Sequence, residues 1–155
     1  MLKLVKPTKR VRDLLQITKL ITVFESYDDE QKAVKGSKVL LLGVAYKRDV
    51  DDVRESPALS IIDRLRAKGA NVRYHDPFVK ELSFDDAHIE ASGEPLSSMP
   101  LTDDELKSTD CVIIVTDHSE IDYQRVCSVA PLIVDTRNAL NGDLRRDSKA
   151  RIIRL

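Results

Sequence analysis

Val39-Leu40-Leu41-Leu42-Gly43-Val44-Ala45-Tyr46-Lys47-Arg48-Asp49-Val50-Asp51-Asp52-Val53-Arg54-Glu55-Ser56-Pro57 runs from an unbroken apolar stretch, through a charged segment, to a serine–proline pair. The first four residues are apolar without alternation, the pattern of a parallel strand covered on both faces. Ser56 stands at an N-cap position with Pro57 at the first helical position, so a helix begins there. Its apolar residues Ala58, Ile61, Ile62 and Leu65 fall at i, i+3, i+4 and i+7, and Gly69 supplies a left-handed stop. Strand, loop and helix make one βα unit. The loop carries Lys47, Arg48 and Arg54, and backbone amides joined by basic side chains at such a junction suit a phosphate. Gly43 is the loop's only glycine, so the G-x-G-x-x-G turn of ordinary dinucleotide binding is absent.

The same unit repeats outward. Upstream, Leu2 to Val5 reads as a strand, Thr8 to Leu20 as a helix with Val11, Leu14 and Leu15 on one face, and Ile21 to Phe24 as a strand. Downstream, Asn71 to Tyr74 is a short strand that ends at Asp76-Pro77, where proline forces an exit from regular structure. Residues 78–100 are loop-rich. Thr102-Asp103-Asp104-Glu105 is a capping-box pattern opening a short helix, Cys111 to Val115 is an apolar strand, and Ser119 with Asp122 starts another helix. Leu132 to Val134 is the last clear core strand, and Ala150 to Leu155 adds an edge strand among Lys149, Arg151 and Arg154. The expected fold is α/β: a single three-layer, Rossmann-like domain with a mainly parallel sheet and helices on both faces.

Composition narrows the function. The 155 residues fit one domain, and a hydrophobic fraction of 42% is enough for its core. Lys+Arg 25 against Asp+Glu 26 gives a net charge of -1, so no global field draws nucleic acid or a membrane. There is no apolar run of transmembrane length and no signal-peptide h-region. Two cysteines then read as reduced thiols in a cytoplasm. Cys111 opens an apolar run and Cys127 follows Val126, so both are expected to be small core residues. His75 and His88 have no cysteine at ligand spacing, so no metal site is expected.

The loop G-V-A-Y-K-R-D-V-D-D-V-R-E-S-P-A resembles the signature of the C-terminal, UDP-binding domain of nucleotide-sugar 6-dehydrogenases, enzymes that oxidise UDP-glucose, UDP-N-acetylhexosamines or GDP-mannose. Tyr74-His75-Asp76-Pro77, Val115-Thr116-Asp117-His118-Ser119 and Val134-Asp135-Thr136-Arg137-Asn138 continue it in the family's order. The last two forms look closest to the UDP-N-acetylglucosamine or UDP-N-acetylmannosamine branch, enzymes of polysaccharide biosynthesis. The resemblance covers residues from about Val34 onward. It implies an NAD-binding Rossmann domain, a helical middle segment and a cysteine nucleophile elsewhere in the family's full length, and this chain shows none of their motifs.

Residues 1–34 carry a different resemblance. Leu2-Lys3-Leu4-Val5, the run from Pro7 to Thr18 and Val23-Phe24-Glu25-Ser26-Tyr27 are similar to the end of a STAS domain, an anti-sigma-factor antagonist. Two partial families imply a chimera, STAS-like over 1–34 and UDP-binding over 35–155, with a seam near Asp28 to Val34. A divergent linker is the alternative.

Lys47, Asp117 with His118, and Arg137 all fall at the carboxyl ends of strands and are expected to share one cleft. The resemblance implies substrate-binding positions at Lys47, Tyr46 and Arg137, and a cofactor-facing position at Arg54. Each has a plainer competitor. For Lys47 it is a solvated loop charge and for Arg137 a partner of Asp135, Asp117 or Asp49, ligand contact being the expectation at both; for Arg54 it is an ion-pair network with Asp51, Asp52 and Glu55, which is the expectation there. His118 is expected to fix the loop, because adjacent Asp117 and His118 cannot face each other as a catalytic dyad. The leading expectation is a module that binds UDP or a UDP-sugar weakly, near millimolar or about −4 kcal/mol, without catalytic residues or a bound cofactor of its own. A folded scaffold without activity and a subunit needing a separate NAD-binding partner are the alternatives, and either a monomer or a homodimer is expected.

Overall fold

The computed structural model describes residues 34–83 and 95–155. In chain order it shows β1 (Lys38–Leu42), α1 (Pro57–Ala67), β2 (Asn71–His75), β3 (Glu81–Leu82), β4 (Leu96–Ser97), α2 (Asp103–Ser108), β5 (Cys111–Ile114), α3 (Tyr123–Val129), β6 (Leu132–Asp135), α4 (Gly142–Arg146) and β7 (Arg151–Arg154). Five strands form one parallel sheet in the order β2-β1-β5-β6-β7. The α/β architecture and parallel sheet expected above are present. The predicted strand, helix and strand of residues 2–24 and the STAS resemblance lie outside the described residues.

Alternation within β1 divides the core. Val39 and Leu41 face one cluster with Ala58, Leu59, Ile61, Ile62 and Leu65 of α1, while Leu40 and Leu42 face another with Leu106, Ile114, Val126, Cys127 and Leu140. Helices therefore cover both faces, and each large side chain so buried contributes about 2 kcal/mol. Helix α1 begins where Ser56 accepts the Ala58 N–H, with Pro57 in the first turn.

Two details differ from the sequence reading. The stretch read as loop-rich contains an antiparallel ladder, Glu81 opposite Ser97 and Leu82 opposite Leu96, with the Tyr74 hydroxyl 3.3 Å from the Val79 and Leu96 carbonyls. Strands of two residues are too short to show alternation. Helix α3 is capped by Asp122, which accepts the Arg125 N–H, and Ser119 bonds elsewhere. The basic edge strand β7 forms because Ile152 and Ile153 pack on opposite faces while Arg151 and Arg154 stay exposed. Among the described residues no helix is long and apolar enough to cross a membrane.

Candidate functional site

From β1 the chain moves outward to β2, then crosses back to β5 on the other side of β1. β1 is therefore where the strand order reverses, and in open α/β sheets the ligand-binding region lies outside the carboxyl ends of the strands at such a reversal. Here it lies between loop 43–56 and the turn 115–122. Gly43 is what lets them approach. Its φ is 75°, and a Cβ there would stand 2.2 Å from the Thr116 carbonyl oxygen.

Asp76, at the end of β2, organises both turns from beneath. Its fully buried carboxylate accepts N–H bonds from Val44 at 2.7 Å and Ala45 at 3.2 Å in the β1 loop. It also accepts from Phe78 at 2.8 Å and Val79 at 3.0 Å, while Nε2 of His118 lies 3.0 Å away. Burial alone pushes this carboxyl up, but donation from His118, Val44, Val79 and Phe78 outweighs it and holds the group at about 2. His118 is itself fully buried and its Nδ1 accepts the Asp49 N–H at 2.8 Å, which makes it the loop-fixing residue expected of it. Asp49 sits at φ 59°, and its carboxylate accepts the Ser119 N–H and hydroxyl at 2.8 and 2.9 Å. Those bonds, led by the Ser119 N–H, hold it below the ordinary range against its desolvation.

Asp135 repeats the device after β6. It is buried and accepts the N–H groups of Arg137, Ala139 and Leu140 at 3.0–3.1 Å, shaping the turn that presents Arg137. The Arg137 guanidinium reaches Asp117 at 3.5 Å, and Arg48 reaches the same carboxylate at 3.7 Å and Asp49 at 3.5 Å. Of the three acids offered to Arg137 by sequence, Asp117 takes its side chain and Asp135 its backbone. Two half-exposed guanidiniums thus share one carboxylate at long range, a loose arrangement that an incoming phosphate can enter.

Lys47 joins this cluster only through its neighbour Arg48. Its ammonium lies 5.5 Å from the centroid of the exposed Tyr46 ring, and no carboxylate among the described residues lies within ion-pair distance of it. Arg54 stands apart. It binds Asp52 through Nε at 3.0 Å and a terminal nitrogen at 2.8 Å, the local ion pair weighed against its cofactor-facing role. That fork, first by side-chain and then by backbone donation, holds Asp52 at about 2.

Sequence reasoning missed Asp76, noticed only for the proline after it, and left Arg48, grouped with Lys47 and Arg54 as a basic side chain suited to phosphate, without an individual site role. The signal for Asp76 was an aspartate directly after a strand and before a turn, where a carboxylate can collect successive N–H groups. Tyr123 was missed too. Its hydroxyl is buried without a hydrogen-bond partner among the described residues, and desolvation, then the charge of Asp117, pushes its ionisation up. Cys111 and Cys127 are buried free thiols, as expected, and burial pushes Cys111 up to about 12. Burial disfavours the thiolate at both positions.

A dinucleotide does not fit these residues. The β1 turn has one glycine, and the space its missing side chain leaves is filled by the Thr116 carbonyl rather than open to a pyrophosphate. Hollows of about 420 and 430 Å³ open beside α4, one lined by Arg145, Arg146, Ala150 and Ile152, the other by Gln124, Cys127, Ser128 and Leu144. Neither includes a residue of loop 43–56 or of the turn 115–122.

Residues 40–142 match the UDP-glucose/GDP-mannose dehydrogenase family, UDP binding domain. The chain is 31% identical over 141 residues to a UDP-glucose 6-dehydrogenase of Rickettsia bellii, covering 88% of this chain and 30% of that protein. It is 27% identical over 150 residues to a UDP-N-acetyl-D-mannosamine dehydrogenase of Methanococcus aeolicus, covering 92% and 31%. Its fold is similar to the crystal structure of an NDP-N-acetyl-D-galactosaminuronic acid dehydrogenase from Methanosarcina mazei, with a TM-score of 0.61 at 20% identity, covering 99% and 33%. The chain spans about a third of the length of these relatives.

Proposed function

The chain belongs to the UDP-glucose/GDP-mannose dehydrogenase family, as its UDP binding domain, and from that premise we propose that the crevice at the carboxyl ends of β1, β5 and β6 binds the diphosphate of a UDP-sugar. One observation carries this reading: Arg48 and Arg137, from loops more than eighty residues apart, converge on Asp117 at the sheet's topological switch point. Lys47 and Tyr46 extend the same surface beside Arg48. Lys47, Arg48 and Arg137 supply charge to the diphosphate, and Tyr46 supplies an exposed ring for the uracil or sugar.

These residues bind and do not turn over. In the full-length family architecture we assign oxidation of the sugar by NAD to regions other than this domain. Arg54 is occupied by Asp52 in this domain, so a cofactor contact in the full-length family requires that ion pair to be shared or exchanged. A cytoplasmic setting accords with the two buried free thiols. Residues 35–155 form the binding domain in this reading. Residues 1–34 are better taken as its lead-in than as a STAS fragment, since a match covering 92% of the chain must run into them.

The test is a nitrogen–proton NMR titration of the labelled chain with UDP, UDP-N-acetylglucosamine, UDP-glucose and NAD. Saturable shifts at Lys47, Arg48 and Arg137 with the UDP compounds are expected, with Kd near a millimolar, weakened about tenfold in Lys47→Ala. No shift at millimolar UDP, or an equal response in Lys47→Ala, overturns the reading. The order of the two sugars then identifies the branch.

A further inference from the structure

The basic tip of the β1 loop is fastened at both ends to the turn after β5. At one end the Thr116 hydroxyl donates to the Ala45 carbonyl at 2.6 Å. At the other, the Asp49 N–H donates to His118 Nδ1, and Ser119 grips the Asp49 carboxylate. Only Tyr46, Lys47 and Arg48 stand between these fastenings, and they are the residues presented to the crevice. A backbone N–H can only donate, so Nδ1 is the acceptor and the imidazole proton sits on Nε2, aimed at Asp76. Each ring nitrogen therefore serves a different neighbour. Asp76 holds the buried hub beneath β1, and Asp49 ends the tip. The ring packs on Phe78 at 5.1 Å, with the Asp49 carboxylate 3.7 Å from Nδ1 and Arg48 and Asp117 beyond it.

Building on the reading of this crevice as a diphosphate site, we propose that His118 is a positioning residue with divided roles. Its Nε2–H holds the fold through Asp76, and its Nδ1 holds Asp49 so that Lys47 and Arg48 face the diphosphate. No contact between His118 and ligand is involved. The roles are separable because the two amides each imitate one nitrogen. The amide of His118→Gln extends as far as Nε2 and can donate to Asp76, but offers Asp49 no acceptor. The amide oxygen of His118→Asn sits where Nδ1 does and accepts the Asp49 N–H, but leaves Asp76 one donor short.

The experiment compares the 155-residue chain with both variants by UDP titration, urea unfolding and amide hydrogen exchange at Asp49. His118→Gln is expected to keep its unfolding midpoint, exchange the Asp49 amide rapidly and bind UDP about tenfold more weakly; His118→Asn is expected to unfold at lower urea while keeping a protected Asp49 amide and a Kd within about twofold. The proposal is overturned if His118→Gln binds UDP like wild type, if it fails to fold, or if affinity in both variants simply follows stability. A wild-type chain indifferent to UDP removes the diphosphate reading, and the divided roles then stand or fall on the Asp49 amide alone. Rapid exchange in both variants, or in neither, sinks them.

Discussion

The two halves of loop 43–56 are held in opposite ways. Apart from the Tyr46 N–H, which donates to the Asp52 carbonyl at 2.7 Å, Gly43 to Asp49 is bonded to residues 31 to 71 positions away: His75, Asp76, Thr116, His118 and Ser119. Val50 to Ser56 is held mostly by itself, through Arg54 on Asp52 two residues back and the Ser56 N–H on the Val53 carbonyl. The first half owes its position to tertiary structure and the second to local turns. The candidate ligand contacts Tyr46, Lys47 and Arg48 lie in the first half, where position is inherited from the rigid ends of the sheet. A site needs that inheritance, since binding residues free to wander lose affinity to the entropy of ordering them.

The contrast breaks most severely at Gly43. Gly43→Ala must place a methyl group 2.2 Å from the Thr116 carbonyl oxygen, at a φ of 75° that L residues avoid. Left-handed backbone and overpacking together cost about 4 kcal/mol, read as a lowered midpoint in urea unfolding. If Gly43→Ala unfolds within about 1 kcal/mol of wild type, the close approach of the two turns is not what fixes the first half.

Asp76→Asn is next, at about 3 kcal/mol, because an amide nitrogen then confronts N–H groups that the carboxylate accepts. It also carries a pH signature. The folded group titrates at about 2 against an ordinary value of 3.8. A carboxylate depressed on folding adds stability that is fully present above about pH 4 and is lost as pH falls through about 2. Wild type should therefore lose about 2 kcal/mol more than Asp76→Asn between pH 4 and pH 2. Asp52 is also held at about 2, but it is exposed and common to both chains, so the difference isolates Asp76. Parallel pH curves would deny Asp76 its place as the hub.

This division also marks where sequence reading succeeds. The strand at Val39–Leu42, the cap at Ser56-Pro57 and the end of α1 were legible because apolar runs, capping residues and a stop are all written within a few positions. The cleft was half legible, since Lys47, Asp117, His118 and Arg137 each follow a strand and a parallel sheet gathers such ends. The bond from Asp76 to Val44, or from Asp49 to His118, leaves no local trace. Nothing near Asp76 announces that its carboxylate will face a turn 32 residues upstream. Arg54 and Asp52 could be paired on paper, whereas Arg48 with Asp117 could not.

The smallest effect is also the most discriminating between the halves. Asp49 and Glu55 share a φ of 59°, a left-handed backbone unfavourable for side chains other than glycine and, less so, asparagine or aspartate. In Asp49 the carboxylate is bound by Ser119, and those bonds offset the strain. Glu55 has no side-chain hydrogen bond among the described residues to offset it. Glycine relieves backbone strain at both positions, less at Asp49 because aspartate tolerates this conformation better, and makes the unfolded chain more flexible in both, so the substitutions differ in that strain and in what the side chain was doing. Glu55→Gly should stabilise by about 0.5 kcal/mol, and Asp49→Gly should destabilise by about 1 kcal/mol, both read from urea midpoints. Equal shifts would place Asp49 with the locally held residues, and the boundary between the two halves would move upstream to Ala45.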